Sequence, residues 1–162
     1  MPQQAEQLRT ADPSAILAIE LNDQFGRTRR LSDYRGHILV VYFYPRDETP
    51  GCTLEGKEFR DLNEKFRALE CPIVGVSTDS SASHRAFADK HGFPFTLLAD
   101  ERGELARAFG VLNSDRADRA TFVLAREGRI ARSFLDVTPR GHAQRVLKFA
   151  QALVESHLMI GG

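Results

Sequence analysis

Residues 42–59 read YFYPRDETPGCTLEGKEF, and the reading of the fold turns on this stretch. Ile38 to Val41 precede it and make a continuous apolar run that ends at Tyr44. A run this short, rich in β-branched and aromatic residues, predicts a strand buried on both faces, as in a parallel sheet. Pro45 stops it. From about Thr53 to Leu69 the pattern turns helical, with Phe59, Leu62, Phe66 and Leu69 recurring at spacings of three and four between charges. Cys52 therefore stands just after a strand, in the first turn of a helix. In open α/β sheets, reactive groups gather there, beyond the carboxyl ends of the strands.

The rest of the chain continues the alternation. Ile73–Ser77 predicts a second buried strand. Ser80 or Ser81 caps a helix to about His91, ended by Gly92. Phe95–Ala99 is extended, and Arg102–Phe109 is a short helix stopped by Gly110. Thr121–Ala125 and Arg129–Leu135 flank Arg126-Glu127-Gly128, a hairpin signal. A last helix begins near Pro139, with Val146, Phe149, Ala150 and Leu153 on one face. At the front, Ile16–Leu21 predicts a first strand, Asn22-Asp23 and Gly26 a turn, and Ser32–Gly36 a short helical turn. The sum is an α/β fold with a central mixed sheet flanked by helices on both faces. One domain is expected over 15–162, after a polar, flexible segment 1–14.

Composition narrows the function. The chain has 162 residues, 42% of them hydrophobic, enough for a full core. Lys plus Arg is 22 and Asp plus Glu is 22, so no net charge recommends nucleic acid as a partner. No apolar run approaches the roughly 18 to 20 residues of a membrane helix. The start, MPQQAEQLRTADPSAI, lacks the apolar middle of a secretory signal, so a cytoplasmic location is expected. Two cysteines, Cys52 and Cys71, cannot build a disulfide scaffold or a four-cysteine zinc site. The five histidines show no metal spacing, and His84 and His91, seven apart on one helix face, read as solvated. No metal and no cofactor is expected.

A helix amino end carries unpaired N–H groups and about half a positive charge, both of which favour a thiolate over a thiol. The thiolate is the nucleophilic form, so the placement prepares Cys52 to attack. Pro45 and Pro50 stiffen the loop, Gly51 lets backbone approach closely, and Thr49 offers a hydroxyl to an incoming oxygen. Glu55 follows in the first turns, where a glutamate also suits the helix dipole. Tyr42 and Tyr44, in the strand, read as core.

Pro45-x-x-x-Thr49-x-x-Cys52 resembles the active-site signature of the peroxiredoxins, thiol peroxidases on an elaborated thioredoxin fold. YFYPRDETPGCTLE is similar to one branch, the bacterioferritin-comigratory-protein or Q-type group. The likeness continues through GVSTDSSASHRAFADKHGFPFTLLAD (75–100) and RATFVLAREGRI (119–130), and covers roughly residues 20–150; the extreme N-terminus matches poorly. The resemblance implies a bacterial, cytoplasmic antioxidant enzyme of the thioredoxin-dependent type that serves redox homeostasis. It makes Cys52 the peroxidatic cysteine, which attacks a peroxide oxygen and becomes a sulfenic acid. It assigns Thr49 to holding the peroxide in line and Pro45 to shielding the nascent sulfenate. Arg119 matches the arginine that stabilises the thiolate and the charge developing as the O–O bond breaks. The N–H groups of Cys52 and Gly51 complete the cradle, and Glu55 aligns with an acidic residue common in this branch.

A sulfenic acid is usually reduced by a second thiol. In two-cysteine members of the branch that thiol often lies five residues after the first, and here Lys57 holds the place. Another pattern puts it on the following helix, which has no cysteine. Cys71 lies beyond the far end of a helix whose ends are roughly 24 Å apart, whereas a disulfide needs Cα atoms within about 7 Å. Cys71 therefore reads as structural, with an intermolecular disulfide through it left open. The enzyme reads as a one-cysteine type resolved by an external thiol: thioredoxin, glutaredoxin, glutathione or a small thiol. Gly56 stands where relatives commonly carry alanine; glycine costs about 1 kcal/mol in a helix, so this turn is expected to open readily to such a thiol. A monomer is expected, a weak dimer being the alternative. Competing readings fare worse. A disulfide reductase needs a CxxC pair, a glutathione-peroxidase-like site resembles one that includes tryptophan, and a cysteine hydrolase needs a histidine base. A non-catalytic redox sensor on the same scaffold stays open, because Lys57 removes the self-contained cycle.

Overall fold

The computed structural model describes residues 13–161, with side chains through Ser156. Its strands are β1 (Leu21–Asp23), β2 (Thr28–Arg29), β3 (Leu39–Phe43), β4 (Ile73–Ser77), β5 (Thr96–Ala99), β6 (Leu112–Asn113), β7 (Arg116–Ala117), β8 (Ala120–Leu124) and β9 (Ile130–Phe134). Its helices are α1 (Pro13–Leu17), α2 (Pro50–Ala68), α3 (Ser81–His91), α4 (Glu104–Ala108) and α5 (His142–Gly161), with a 3₁₀ turn at Leu31–Tyr34. Seven strands form one mixed sheet in the order β2-β1-β5-β4-β3-β8-β9. The inner trio β5-β4-β3 is parallel, and β8 runs antiparallel to β3.

Every residue of β3 is buried because the sheet is covered on both sides. Strand periodicity then feeds two cores. Val40, Tyr42 and Tyr44 join Phe59 and Phe66 of α2, Phe87 of α3, and Val146 and Ala150 of α5. Leu39, Val41 and Phe43 join Leu17, Leu105, Phe109 and Phe122 on the opposite face. Phe59 is fully buried and stacks on Tyr42 at 4.7 Å between ring centroids; truncating it to alanine costs about 3–5 kcal/mol. The central mixed sheet with helices on both faces is the architecture that the alternation predicts.

The register of β8 on β3 matters most for function. Ala120 pairs with Phe43, so Arg119 stands level with the exit of β3, where the loop to α2 begins. A small hairpin, β6 with β7, delivers the chain to that point, and the Asp118 N–H bonds the Val111 carbonyl at 2.8 Å. The sequence shows no separate signal for this hairpin.

One expectation needs correction at the N-terminal end. The stretch Ile16–Leu21 is not one strand: α1 occupies 13–17, and β1 begins only at Leu21. Pro13 fixes φ at the first helical position, where a missing N–H costs nothing. The Ala18 N–H then bonds the Ser14 carbonyl at 3.1 Å, and Leu17 is buried. Pro13 and Ser14 of the segment expected to be flexible belong to α1, and its residues 1–12 lie outside the described residues. Asp23 makes the turn after β1, its Oδ1 accepting from the N–H groups of Phe25 and Arg27.

Candidate active site

Helix α2 starts three residues earlier than its apolar periodicity suggests. Thr49 is its N-cap and Pro50 its first residue, so Cys52 is the third helical residue. The first turn leaves backbone N–H groups unpaired around the sulfur. Cys52 is 2% exposed. The Thr49 hydroxyl donates to the Arg46 carbonyl at 3.1 Å, which closes the loop on itself. Pro45 is half-buried at the end of β3.

Arg119 reaches this turn from the position just before β8. Its Nη2 donates to Cys52 Sγ at 3.4 Å and its Nη1 to Glu55 Oε1 at 2.8 Å. One guanidinium thus bridges a sulfur and a carboxylate one helical turn apart. Burial works against its charge, but Glu55 and Cys52 beside it outweigh that and raise its pKa. Gly51 makes room: a Cβ there would lie 3.0 Å from Arg119 Nη2 and 3.4 Å from Pro139 Cγ. Side chain and proline ring both press on the backbone at this point, so the residue is glycine for close approach.

Behind the guanidinium, Glu55, already singled out in the sequence, meets His142 and Thr121, which sequence reasoning did not find. Glu55 is fully buried, and burial, only partly offset by Arg119, pushes its pKa up to about 7. Its Oε2 has no hydrogen-bond partner and lies 3.9 Å from His142 Nε2. His142 Nε2 also hydrogen-bonds Thr121 Oγ1 at 2.7 Å. Burial and the nearby cations Arg145 and Arg119 push the His142 pKa down to about 4, so the ring is neutral at neutral pH. Glu58, further along α2, accepts from the Gly141 N–H at 2.8 Å and ties α5 to α2. His142 was legible in principle, because it shares the inward face of α5 with Val146 and Ala150.

The loop 45–49 is held from its other side. Asp47 Oδ1 accepts from Tyr44 at 2.6 Å, and its Oδ2 meets Ser83 Oγ at 2.8 Å and His84 Nδ1 at 2.7 Å. His84 Nε2 donates to the Leu98 carbonyl at 2.9 Å, and Asp79 accepts from the Asp47 N–H at 2.8 Å. His84 is completely buried, so its expected place on a solvated face is wrong. The face it shares carries Phe87 and Ala88, both buried, and therefore turns to the core. Asp47, Asp79 and His84 are the one group among the described residues whose atoms could converge on a metal ion. Hydrogen bonds already occupy these atoms, and the group reads as the anchor of the loop.

The remaining expectations fall as follows. Cys71 is 1% exposed, and burial pushes its pKa up to about 12, so it is an unreactive thiol. It follows the far end of α2, and both cysteines are free. Lys57 is exposed on α2. Gly56 is buried, and a Cβ there would lie 2.5 Å from Phe93 Cζ. Packing against Phe93 accounts for this glycine, and weakness of the helix is not needed to explain it. Tyr42 is core, whereas Tyr44 supports the loop through Asp47. A cleft of about 420 Å³ opens over Arg119, walled by Val111, Ala120, Leu135 and Val137. No helix among the described residues is long and apolar enough to cross a membrane.

The site thus sets a cysteine at a helix amino end and bridges it by arginine to a buried carboxylate, on a thioredoxin-like sheet. Residues 14–133 match the AhpC/TSA family, and the chain belongs to that family. It is similar to Peroxiredoxin Bcp of Bacillus subtilis (strain 168), 39% identical over 145 residues that cover 85% of this chain and 92% of that one. It is 44% identical over 137 residues to the chloroplastic Peroxiredoxin Q of Sedum lineare, covering 82% of this chain and 74% of that one. Among solved structures it resembles the Xanthomonas campestris bacterioferritin comigratory protein, described for its alkyl peroxide reduction activity. That match has a TM-score of 0.85 and 37% identity, over 88% of this chain and 96% of the other. The chain is thus a peroxiredoxin of the bacterioferritin-comigratory or Q type, a thiol-dependent peroxidase without the usual resolving cysteine.

Proposed function

We propose that Cys52 reduces hydrogen peroxide and organic hydroperoxides in a one-cysteine cycle, with Arg119, Thr49 and Pro45 as its partners. The observation that carries this is the single Arg119 guanidinium shared between Cys52 Sγ and Glu55 Oε1. A thiolate at Cys52 attacks the terminal oxygen of the peroxide. An S–O bond forms, the O–O bond breaks, and the alkoxide leaves and takes up a proton. Arg119 offers donors to the thiolate and then to the charge spreading over the peroxide oxygens. Thr49 turns its hydroxyl from the Arg46 carbonyl to the peroxide and holds it in line. Pro45, at the strand end, limits water at the sulfenate.

An external thiol then attacks the sulfenic sulfur, and a second thiol releases Cys52 by exchange. Lys57 at the usual resolving position and the buried, unreactive Cys71 support this division of labour. The protein acts as a monomer in the cytoplasm. Stopped-flow oxidation of Cys52 by hydrogen peroxide and by an alkyl hydroperoxide tests the reading. A rate no faster than a free thiol at the same pH rejects it. Mass spectrometry after one equivalent of peroxide gives the second test: a sulfenic acid is expected, and an internal disulfide would refute the one-cysteine cycle.

A further inference from the structure

Thiolate oxidation removes one negative charge from a closed, buried cluster, and some other group there must respond. Glu55 is the group in position to do so. It is fully buried on α2, one oxygen bonds the guanidinium that also bonds the sulfur, and the other oxygen has no partner. The cover over that second oxygen is His142 from α5, 3.9 Å away and itself bonded to Thr121 of β8. We propose that Glu55 is a proton store coupled to Cys52 through Arg119, with His142 and Thr121 as its cover: it holds a proton while Cys52 is a thiolate and releases it when the sulfur is oxidised. The inference rests on Cys52 being the peroxide-reducing thiolate proposed above.

The physical argument is a count of charges. While the sulfur is anionic, Arg119 is shared between two acceptors, and a carboxylate at Glu55 would leave the cluster with two negative charges against one positive. Burial of Glu55 makes that state costly. Once sulfur carries a neutral sulfenic acid, Arg119 has Glu55 as its remaining anionic partner, and ionisation of Glu55 becomes favourable. Arg119, from the segment before β8, and Glu58 of α2 act on Glu55 directly. Around it stand Cys52 of α2, which shares the Arg119 guanidinium, Tyr42 of β3, whose hydroxyl feels both Glu55 and Cys52, and His142 of α5. Of these, the charge on Cys52 is the one that the reaction changes. The ordinary titration of Glu55, up to about 7, places the store where a small change of field empties it.

The chemistry balances as follows. Sulfur loses two electrons to the peroxide, the O–O bond breaks, and the leaving alkoxide takes one proton to become an alcohol. A proton given up by Glu55 offsets that uptake, so the protein draws less than one proton from solvent per peroxide near neutral pH. The coupling runs through charge, and no direct transfer from Glu55 to the alkoxide is part of it.

Infrared spectra of the intact reduced protein, titrated across neutral pH, provide the test. A protonated-carboxyl band is expected that disappears as pH rises and is absent in Glu55→Gln. In Cys52→Ser its midpoint falls by about one pH unit, and wild type oxidised with one equivalent of peroxide shows the same fall without any substitution. His142→Phe, which leaves only apolar cover, raises the midpoint, and His142→Gln returns it toward the wild-type value. A midpoint unmoved by both Cys52→Ser and oxidation, while Cys52 still reacts rapidly with peroxide, overturns the proton store. So does the absence of any carboxyl that stays protonated near neutrality. Slow oxidation of Cys52 alone, with the midpoint still moved by Cys52→Ser, counts against the peroxidase reading and leaves the charge coupling supported.

Discussion

Replacing Arg119 with lysine keeps the charge and removes the bridge. The guanidinium sends Nη1 to Glu55 at 2.8 Å and Nη2 to Cys52 Sγ at 3.4 Å. An ammonium on a shorter stem is a single point of donation and cannot serve both acceptors in that geometry. The transition state then loses about one charge-assisted hydrogen bond, worth about 1.5–3 kcal/mol. At about 1.4 kcal/mol per decade, Cys52 oxidation slows by roughly 10- to 100-fold. Collapse of the fold does not complicate the result. Breaking a buried ion pair can cost about 3–5 kcal/mol when a charge is stranded, but Glu55, pushed up to about 7, holds a proton in the reduced protein and leaves no stranded charge. The assay is stopped-flow oxidation of Cys52 by hydrogen peroxide, with urea unfolding run on the same protein. An Arg119→Lys rate within about threefold of wild type would show that charge alone suffices and that the bridge is irrelevant.

Further tests follow from the same contacts. Gly56→Ala gains about 1 kcal/mol of helix propensity but drives a Cβ into Phe93, an overpacking that costs about 1–3 kcal/mol. A net loss of up to about 2 kcal/mol is expected in urea unfolding, and a more stable variant would refute the packing account. Cys71→Ser places a hydroxyl in the core and lowers stability by about 1–3 kcal/mol, while turnover with an external thiol is retained; abolished turnover would end the one-cysteine assignment. Glu55 and His142 pull stability in opposite directions with pH. The acid is raised from 4.5 to about 7, so folded protein binds the extra proton between those values, and stability falls as pH rises across them. The histidine is lowered from 6.5 to about 4, so the unfolded chain binds the extra proton, and stability rises with pH across that window. Each is worth about 3 kcal/mol, so the two nearly cancel between about pH 4.5 and 6.5. Glu55→Gln should unmask a rise with pH there, and His142→Gln a fall; parallel curves for all three proteins would show that neither group titrates as described.

Local signals made the centre of the site readable. The apolar run that becomes β3 and the periodicity of α2 by themselves place Cys52 at a helix amino end. Arg119 depends on something no local pattern carries, the register Phe43 to Ala120 between strands far apart in sequence. It was legible through resemblance to a family and not through periodicity. His84 was misread, and His142 was passed over, for a different reason. Both lie on faces that their neighbours Phe87, Ala88, Val146 and Ala150 turn inward, yet a polar residue invites a solvated reading until its partners are known. Those partners, Asp47 and Leu98 for one, Thr121 for the other, come from separate segments. The first strand was misplaced because Ile16 and Leu17 read equally well as strand or helix, and Pro13 decides the matter by starting a turn.

The clasp between Gly141 and Glu58 has a bearing on how the enzyme is made. Cys52 leaves the ribosome early, Arg119 much later, and Gly141 and His142 among the last parts of the fold. Domains fold as their segments become available during synthesis. A nascent chain therefore carries its sulfur before it carries the arginine that bonds it. The geometry around Cys52 is thus completed last, when the clasp closes α5 onto α2.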